Sequence, residues 1–520
     1  MAILHKNITN AADIHNPKWF SGANNGDYAF KNEKGELESI DELLLPAALN
    51  FVDASVAPPT SNSGDIYILS SGGSVNAGWG SVSLQDWVRY DGTQWNSITP
   101  QKSSLCYDKT ADSLKVFDGV AWAGMGSSFG KFGISDSSGS FTYYSTIADA
   151  LTAASSGDVI EQFANVTSTS TNSIALVDGV TWNMNGYSYI NTAASNFNFI
   201  TIANGVKFTI NNGYIKRDGG TYEIYTNVLI VGSTLSTSEL NSNGVVYEHS
   251  MSLVAKNKTT LNGGTFKSSS SGTYGFLVEG VCNRVKIITT AINRFGGSDC
   301  RIYNSYIYSS SNYNYIINNG VKAYNSVFES DGGRGLFLGN GPNEAHNCTF
   351  ISSAAEGLYA TGGATQFSKI LNCTAYSSAN IGIYLIGYAQ AYNCSAYSTA
   401  NRGMRLGNYA MAYNCFAYTN ASIGISAQRD SIIKNCTIKT DYDNSTAHGI
   451  DITQPKSGNG FEVIGCHIEV FNSSANGLNI SAVSNGKWAK NTFKGPTTAV
   501  VNTNANLITN TPDSLGNLLL

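Results

Sequence analysis

Short runs in which every second residue is apolar recur along most of this chain, and between Asn304 and Asn491 they recur in phase. Two cassettes alternate there. One is Asn, a small residue and two further residues, as in Asn347-Cys348-Thr349-Phe350, Asn372-Cys373-Thr374-Ala375, Asn393-Cys394-Ser395-Ala396, Asn414-Cys415-Phe416-Ala417 and Asn435-Cys436-Thr437-Ile438. Looser copies stand at Asn304-Ser305, Asn325-Ser326, Gly465-Cys466 and Asn491-Thr492. The other is Gly, apolar, any, apolar, as in Gly335-Leu336-Phe337-Leu338, Gly382-Ile383-Tyr384-Leu385 and Gly403-Met404-Arg405-Leu406. Each returns roughly every twenty to twenty-five residues, a solenoid period. Alternation at period two is strand periodicity, and no helix-length apolar pattern intervenes. Short strands without crossover helices predict an all-β chain wound as a single-stranded parallel β-helix.

In such a coil, equivalent residues of successive turns form rows about 4.8 Å apart. Asn suits a tight corner because it tolerates the left-handed conformation and its amide can bond the Asn above and below. Gly is expected to supply another bend at no steric cost, and the Cys after each Asn to face inward as a small apolar filler. The Asn-Cys-Thr/Ser strings match the glycosylation pattern, but the ladder predicts them buried and unmodified.

Composition narrows the class. Hydrophobic residues make up 42% and charged residues 13%, with a net charge of −5, which disfavours a nucleic-acid surface. Of nine Cys, six share one register of the repeat (Cys348, Cys373, Cys394, Cys415, Cys436, Cys466), so they read as reduced core thiols. The N-terminus has no apolar signal core, and no stretch approaches the ~18 apolar residues of a membrane span, so synthesis in a cytoplasm is expected. Scattered His and the lack of a phosphate-cradling Gly loop point to no metal and no cofactor.

Taken in order, residues 1–50 are polar apart from a helix-like run from Ile40 to Leu49. The string Asp13-Ile14-His15-Asn16-Pro17-Lys18, followed by Gly26-Asp27-Tyr28-Ala29, resembles a segment at the start of many bacteriophage virion proteins, with Asn16 in place of the usual Glu. That resemblance implies a docking segment in which Asp13, Ile14, His15, Pro17 and Lys18 tie a fibre or spike to other virion proteins. Residues 51–123 read as a small β module, with a hairpin through Asp91-Gly92 and a second from Val116 to Trp122; Trp79, Trp87, Trp95 and Trp122 are assigned to its core. This module is similar to a phage tail-protein domain of unknown function. Aromatics on short strands would also serve a carbohydrate-binding module, but their spacing suits a core better. Residues 124–140 are Gly- and Ser-rich and read as a linker. An amphipathic helix from Tyr144 to Ala154, followed by Val159-Ile160, resembles the start of pectate-lyase-like proteins, in which a helix plugs the open end of the coil stack. This implies a right-handed β-helix over residues 141–495, of roughly 15 coils and about 70 Å, with residues 496–520 as a tail. A homotrimer follows from the spike resemblance alone.

Candidate chemistry follows from the repeat register. The position two after each cassette Gly should face outward, which nominates Phe337, Tyr359, Tyr384, Arg405 and Asp451 as a glycan-binding file along with Ser426 and Asn479. A flanking row just before each Gly contains Arg334, Glu356, Arg402 and His448. Aromatic faces beside Arg and carboxylate suit sugar rings; stacked Tyr rows equally suit a stiffened wall or a subunit interface. Glycoside hydrolysis needs two carboxylates roughly 5–9.5 Å apart, for which Glu329, Asp331 and Glu356 are the catalytic candidates, with the pair Asp441 and Asp443 as a further option and Asp430 and Asp451 as separate ones. Three functions therefore stand: a virion spike or fibre binding host-surface polysaccharide, a depolymerase on the same scaffold, and a purely structural head or tail fibre.

Overall fold

The computed structural model describes residues 29–31, 37–39 and 50–520 apart from short segments, the longest being 125–129, 136–140, 222–226, 233–237, 454–459, 481–486 and 503–515. Residues 13–18 and 40–49 lie outside the described residues. The chain divides into two compact units, Met1–Lys131 and Phe132–Leu520.

Within the first unit, Asn50–Asp53, Ile66–Ser71, Trp87–Tyr90 and Trp95–Ile98 form a four-stranded sheet. Leu105–Asp108, Ser113–Phe117 and Trp122–Gly124 form a three-stranded one. The four tryptophans do not share one core. Alternation along the strands sends Trp87 with Ile68 to one face, where Cys106 and Trp122 pack, and Leu69 with Val88 to the other, against Trp79, Ala54 and Trp95.

The second unit is a right-handed parallel β-helix with three walls. Each coil lays one strand on each wall in parallel register, as in Gln390–Tyr392, Ser395–Ser398 and Met404–Leu406 on the first, second and third walls. The first two walls belong to one 30-stranded sheet that turns a corner between them; the third comprises a four-stranded and an eleven-stranded sheet, fifteen rungs together. Inward positions alternate with outward ones: Met404 and Leu406 are fully buried while Arg405 between them is partly exposed.

The corner between the first two walls is made by Asn. Asn304, Asn325, Asn347, Asn372, Asn393, Asn414 and Asn435 all adopt φ of 50–54°. Their amides form the expected ladder, each Nδ2 donating to the preceding Oδ1 at 3.1–3.4 Å from Asn325 to Asn414. The ladder is not buried, however. The left-handed bend turns these side chains outward, and all seven residues are exposed. The final looser copy is also shifted by one: Lys490 takes the left-handed position (φ 56°), and buried Asn491 takes the Cys row, accepting from the Cys466 N–H at 2.9 Å.

The Cys row is buried and free of disulfides, as are the other three Cys. Its thiols are more than filler: each of Cys348, Cys373, Cys394, Cys415 and Cys436 donates to the carbonyl two residues back at 3.2–3.3 Å. The cassette glycines differ from expectation too. Gly335, Gly357, Gly382, Gly403, Gly424 and Gly449 do not adopt positive φ; they are needed for close approach, because a Cβ on Gly403 would stand 2.8–3.0 Å from Tyr418 O, Tyr418 N and Gly424 O. At the corner from the second to the third wall a buried hydroxyl row closes the turn, with Ser352 Oγ donating to Gly333 O at 2.6 Å, Ser377 Oγ to Ala355 O at 2.5 Å, and Ser398 and Thr419 to the carbonyls of Asn380 and Asn401.

At the N-terminal end the helix Ile147–Ala153 buries Ile147, Ala150 and Leu151, and Thr146 caps it by accepting from the Asp149 N–H at 3.1 Å. The stretch read as a linker contains a strand, Phe132–Ser135, paired antiparallel with Phe141–Tyr144 and Val159–Gln162. Phe132 is fully buried there, and this core anchor outweighs the flanking Gly and Ser. Beyond residue 495, Thr498–Asn502 adds a rung to the third wall and Leu518–Leu519 pairs with Thr492–Phe493, so strands continue where the tail was expected.

Candidate functional site

The outward file of the third wall is the region where aromatic, cationic and acidic side chains converge. Phe337, Tyr359, Tyr384, Arg405, Ser426 and Asp451 pair in direct register from coil to coil, so all five residues nominated for glycan binding lie in one line. Ring geometry in this file differs from that of the parallel pairs on the other walls. On the first wall Tyr392 and Tyr413 stack at 5.1 Å and 6°, and on the second Tyr376 and Tyr397 stack at 4.9 Å and 12°. Such parallel stacks cover ring faces with neighbouring rings and stiffen the wall. On the third wall Phe337 and Tyr359 meet at 5.0 Å and 65°, and Tyr359 and Tyr384 at 5.0 Å and 88°. An edge-on ring keeps a face for another partner, and here that partner is cationic: Arg334 lies 4.1 Å from the Tyr359 centroid and Arg405 4.7 Å from that of Tyr384.

The flanking row supplies the rest. Arg334 Nε donates to Glu356 Oε2 at 2.8 Å, and Glu356 Oε1 accepts from Asn380 Nδ2 at 3.3 Å. Asn401 Nδ2 bonds Asn380 Oδ1 at 3.2 Å, and Arg402 Nη1 bonds Asn401 Oδ1 at 3.3 Å. Arg402 Nε is buried without a partner. Burial, and the charge of Arg405 nearby, lower the pKa of Arg402, while Asp451 opposes that shift.

Asp451 is 7% exposed and accepts from Asn479 Nδ2 at 2.8 Å. Burial pushes its carboxyl above the usual range, against that hydrogen bond and the positive potential of His448 and Arg402. Burial pushes the neighbouring His448 down. The Nδ1 of His448 accepts from the Asn476 N–H at 3.3 Å, which leaves the proton of the neutral ring on Nε2. Ser426, between Arg405 and Asp451 in the file, is buried as Asp451 is, so the outward file is covered at these two coils, where exposure was expected.

The nominated catalytic carboxylates are each held by a different partner. Glu329 and Asp331 lie at the second wall, where Tyr306 Oη donates to Glu329 at 2.7 Å and Tyr308 Oη to Asp331 at 2.6 Å. Asp331's bond and burial push Tyr308 up to about 12. Glu356 stands at the edge of the third wall, closed into its pair with Arg334. Of the further options, Asp441 is an ion-pair partner of Lys439 and Asp443 accepts from Asn472; Asp430 sits in a left-handed turn at the opposite end of the third wall strand. Arg402 and His448 were visible only as a flanking row, and the Asn380–Asn401 link had no signal in the cassettes. Among the described residues, no group of three or more His, Cys, Asp or Glu is placed to hold a metal ion, and no helix is long and apolar enough to cross a membrane.

No family model matches the sequence, and no curated protein does. Two solved structures align with it. The A-module of the mannuronan C-5 epimerase AlgE4 of Azotobacter vinelandii shares 12% identity over 62% of this chain and 88% of that one, with a TM-score of 0.35. A mutant of the periplasmic alginate epimerase AlgG shares 8% identity over 65% of this chain and 84% of that one, with a TM-score of 0.26. At these scores neither alignment bears on activity.

Proposed function

We propose that this chain is a virion spike or fibre whose third wall binds an acidic host-surface polysaccharide running along the coil stack. The observation that carries the binding reading is the continuous file from Phe337 through Tyr384 and Arg405 to Asp451, bordered by Arg402. Arg334 and Arg405 lie over the ring faces of the file, and Arg402 and Arg405, close enough to repel one another, favour a carboxylate or sulfate between them. Support for a virion setting, docking to other virion proteins and a homotrimer comes from the N-terminal strings resembling phage proteins. The binding test is co-elution of the protein with an acidic polysaccharide and with its carboxyl-reduced form. Retention of the acidic polymer only, lost on Arg402→Ala/Arg405→Ala, supports the reading; equal retention of both, or none, refutes it.

A second reading has its own observation. Asp451 combines a carboxyl that holds its proton more tightly than usual with an adjacent imidazole that holds its proton less tightly, the pairing that general acid–base cleavage of a polysaccharide uses. Shortening of the polymer by the wild type, abolished by Asp451→Asn, would establish a depolymerase; a polymer of unchanged length would remove this reading and leave the binding one.

A further inference from the structure

The small β module has a groove that the third wall does not account for. It has a volume of about 830 Å³, within the range of ligand sites. One side is the Pro58-Pro59 segment and the short 3-10 turn Ala77–Trp79; the other is the hairpin loop after Tyr90 and the strand Trp95–Ile98. Its floor is aromatic. Trp79 is sealed in the core with its Nε1–H donated to Val56 O at 2.8 Å. Trp95 leans on it at 4.8 Å, and Tyr90 lies 5.0 Å from Trp95 at 43°. Trp95 and Tyr90 remain only partly buried, so the aromatic surface extends past what the core encloses.

The rim is polar and uncharged. Thr60, Ser61, Ser81, Thr93, Gln94 and Asn96 line it, and among the described residues no Asp, Glu, Lys or Arg does. The loop is also held in shape. Asp91 Oδ1 accepts from the Thr93 N–H at 2.8 Å, the Thr93 hydroxyl at 2.7 Å and the Gln94 N–H at 2.9 Å, and its Oδ2 accepts from Asn96 Nδ2 at 2.8 Å. Asp91 is thus a positioning residue for the rim, outside the groove itself. An ordered rim reduces what a ligand must freeze on binding.

We propose that this groove binds a neutral saccharide, at a site separate from the acidic-polymer surface of the third wall. The apolar faces of hexose or N-acetylhexosamine rings would lie on Trp95 and Tyr90, and their hydroxyls would exchange hydrogen bonds with the neutral amides and hydroxyls of the rim. The uncharged lining selects against uronates and sulfated sugars, because nothing there offsets their desolvation. A proline-rich peptide would also meet aromatic rings, but it carries few hydroxyl groups to exchange hydrogen bonds with the rim.

The full chain is to be titrated with neutral hexose and N-acetylhexosamine oligosaccharides, followed by saturation-transfer NMR and tryptophan fluorescence. Binding of at least one neutral oligosaccharide is expected, weakened about tenfold or more by Tyr90→Ala and several-fold by Gln94→Ala. It should be unchanged in Arg402→Ala/Arg405→Ala, which separates this site from the third wall. Gln94 is an exposed loop side chain, so Gln94→Ala carries the test even if Tyr90→Ala fails to fold. No binding by any neutral oligosaccharide, binding unaffected by Gln94→Ala, or displacement of the sugar by the arginine substitutions would each overturn the proposal. Capture of a proline-rich peptide in place of a sugar would overturn it as well.

Discussion

The sharpest test of how the coils are packed is Gly403→Ala. A methyl at this position would lie 2.8 Å from Tyr418 O, 2.9 Å from Tyr418 N and 3.0 Å from Gly424 O. All three are backbone atoms, and the strands carrying them are hydrogen-bonded to further coils, so no side-chain rotation relieves the contact. The coils must separate or the third wall must tilt, which places the cost at the upper end of overpacking, about 3 kcal/mol. Gly205 is the control. Its φ is 79° and a Cβ there meets nothing within 4 Å, so Gly205→Ala should cost only the left-handed strain of an L-residue, about 1 kcal/mol. The assay is urea unfolding of each variant, followed by far-UV circular dichroism, with limited proteolysis to find where the stack opens. Gly403→Ala should also weaken any third-wall ligand, because Arg402 and Arg405 flank it. If Gly403→Ala were no more costly than Gly205→Ala, close coil approach would not be the reason for the repeated glycine.

Three further outcomes are expected. Burial, with Arg217 nearby, pushes His249 down to about 3; a base depressed in the fold leaves stability intact above the unfolded value of about 6.5 and removes it as pH falls, about 3 kcal/mol by pH 4, and His249→Gln should flatten that slope in pH-dependent melts. The raised carboxyl of Asp451 has the opposite sense, since stability is greatest while it is protonated and falls as pH rises through its elevated pKa; Asp451→Asn should therefore melt higher than wild type at pH 7, and a lower melt would contradict the assignment. Asn393 (φ 54°) makes two rungs of the amide ladder, donating to Asn372 Oδ1 at 3.1 Å and accepting from Asn414 Nδ2 at 3.3 Å; Gly keeps the bend and loses both rungs, whereas Ala loses both rungs and strains the bend. Denaturant titration should find about 1 kcal/mol lost for Asn393→Gly and about 2 for Asn393→Ala.

The coil was legible because a solenoid repeats its constraints: the left-handed corner is filled by Asn in coil after coil, with Gly465 and Lys490 as the departures towards the C-terminal end. The same logic made the outward file of the third wall readable, since strand alternation alone places Tyr359, Tyr384, Arg405 and Asp451 on one line. What escaped had physical reasons. Ser352, Ser377, Ser398 and Thr419 recur four residues after each Cys, but in a chain so rich in Ser and Thr that row does not stand out. The exposure of the Asn ladder depends on which way a left-handed corner turns its side chain, which residue identity does not specify. Glycine permits positive φ and also permits close approach, and only the backbone distances at Gly403 separate the two. Trp95 belongs to the core on one side and the groove on the other, a division that spacing along a strand does not reveal.

The measurement that bears most directly on the central claim is the affinity of the intact protein for an acidic polysaccharide, compared among wild type, Arg402→Ala/Arg405→Ala and Tyr308→Phe. Tyr308 belongs to the second wall, so Tyr308→Phe should bind as wild type does, while the double arginine variant should lose about a hundredfold or more, the loss expected for two charge-assisted contacts. Equal binding by all three proteins, or a larger loss from Tyr308→Phe, would contradict a third-wall site.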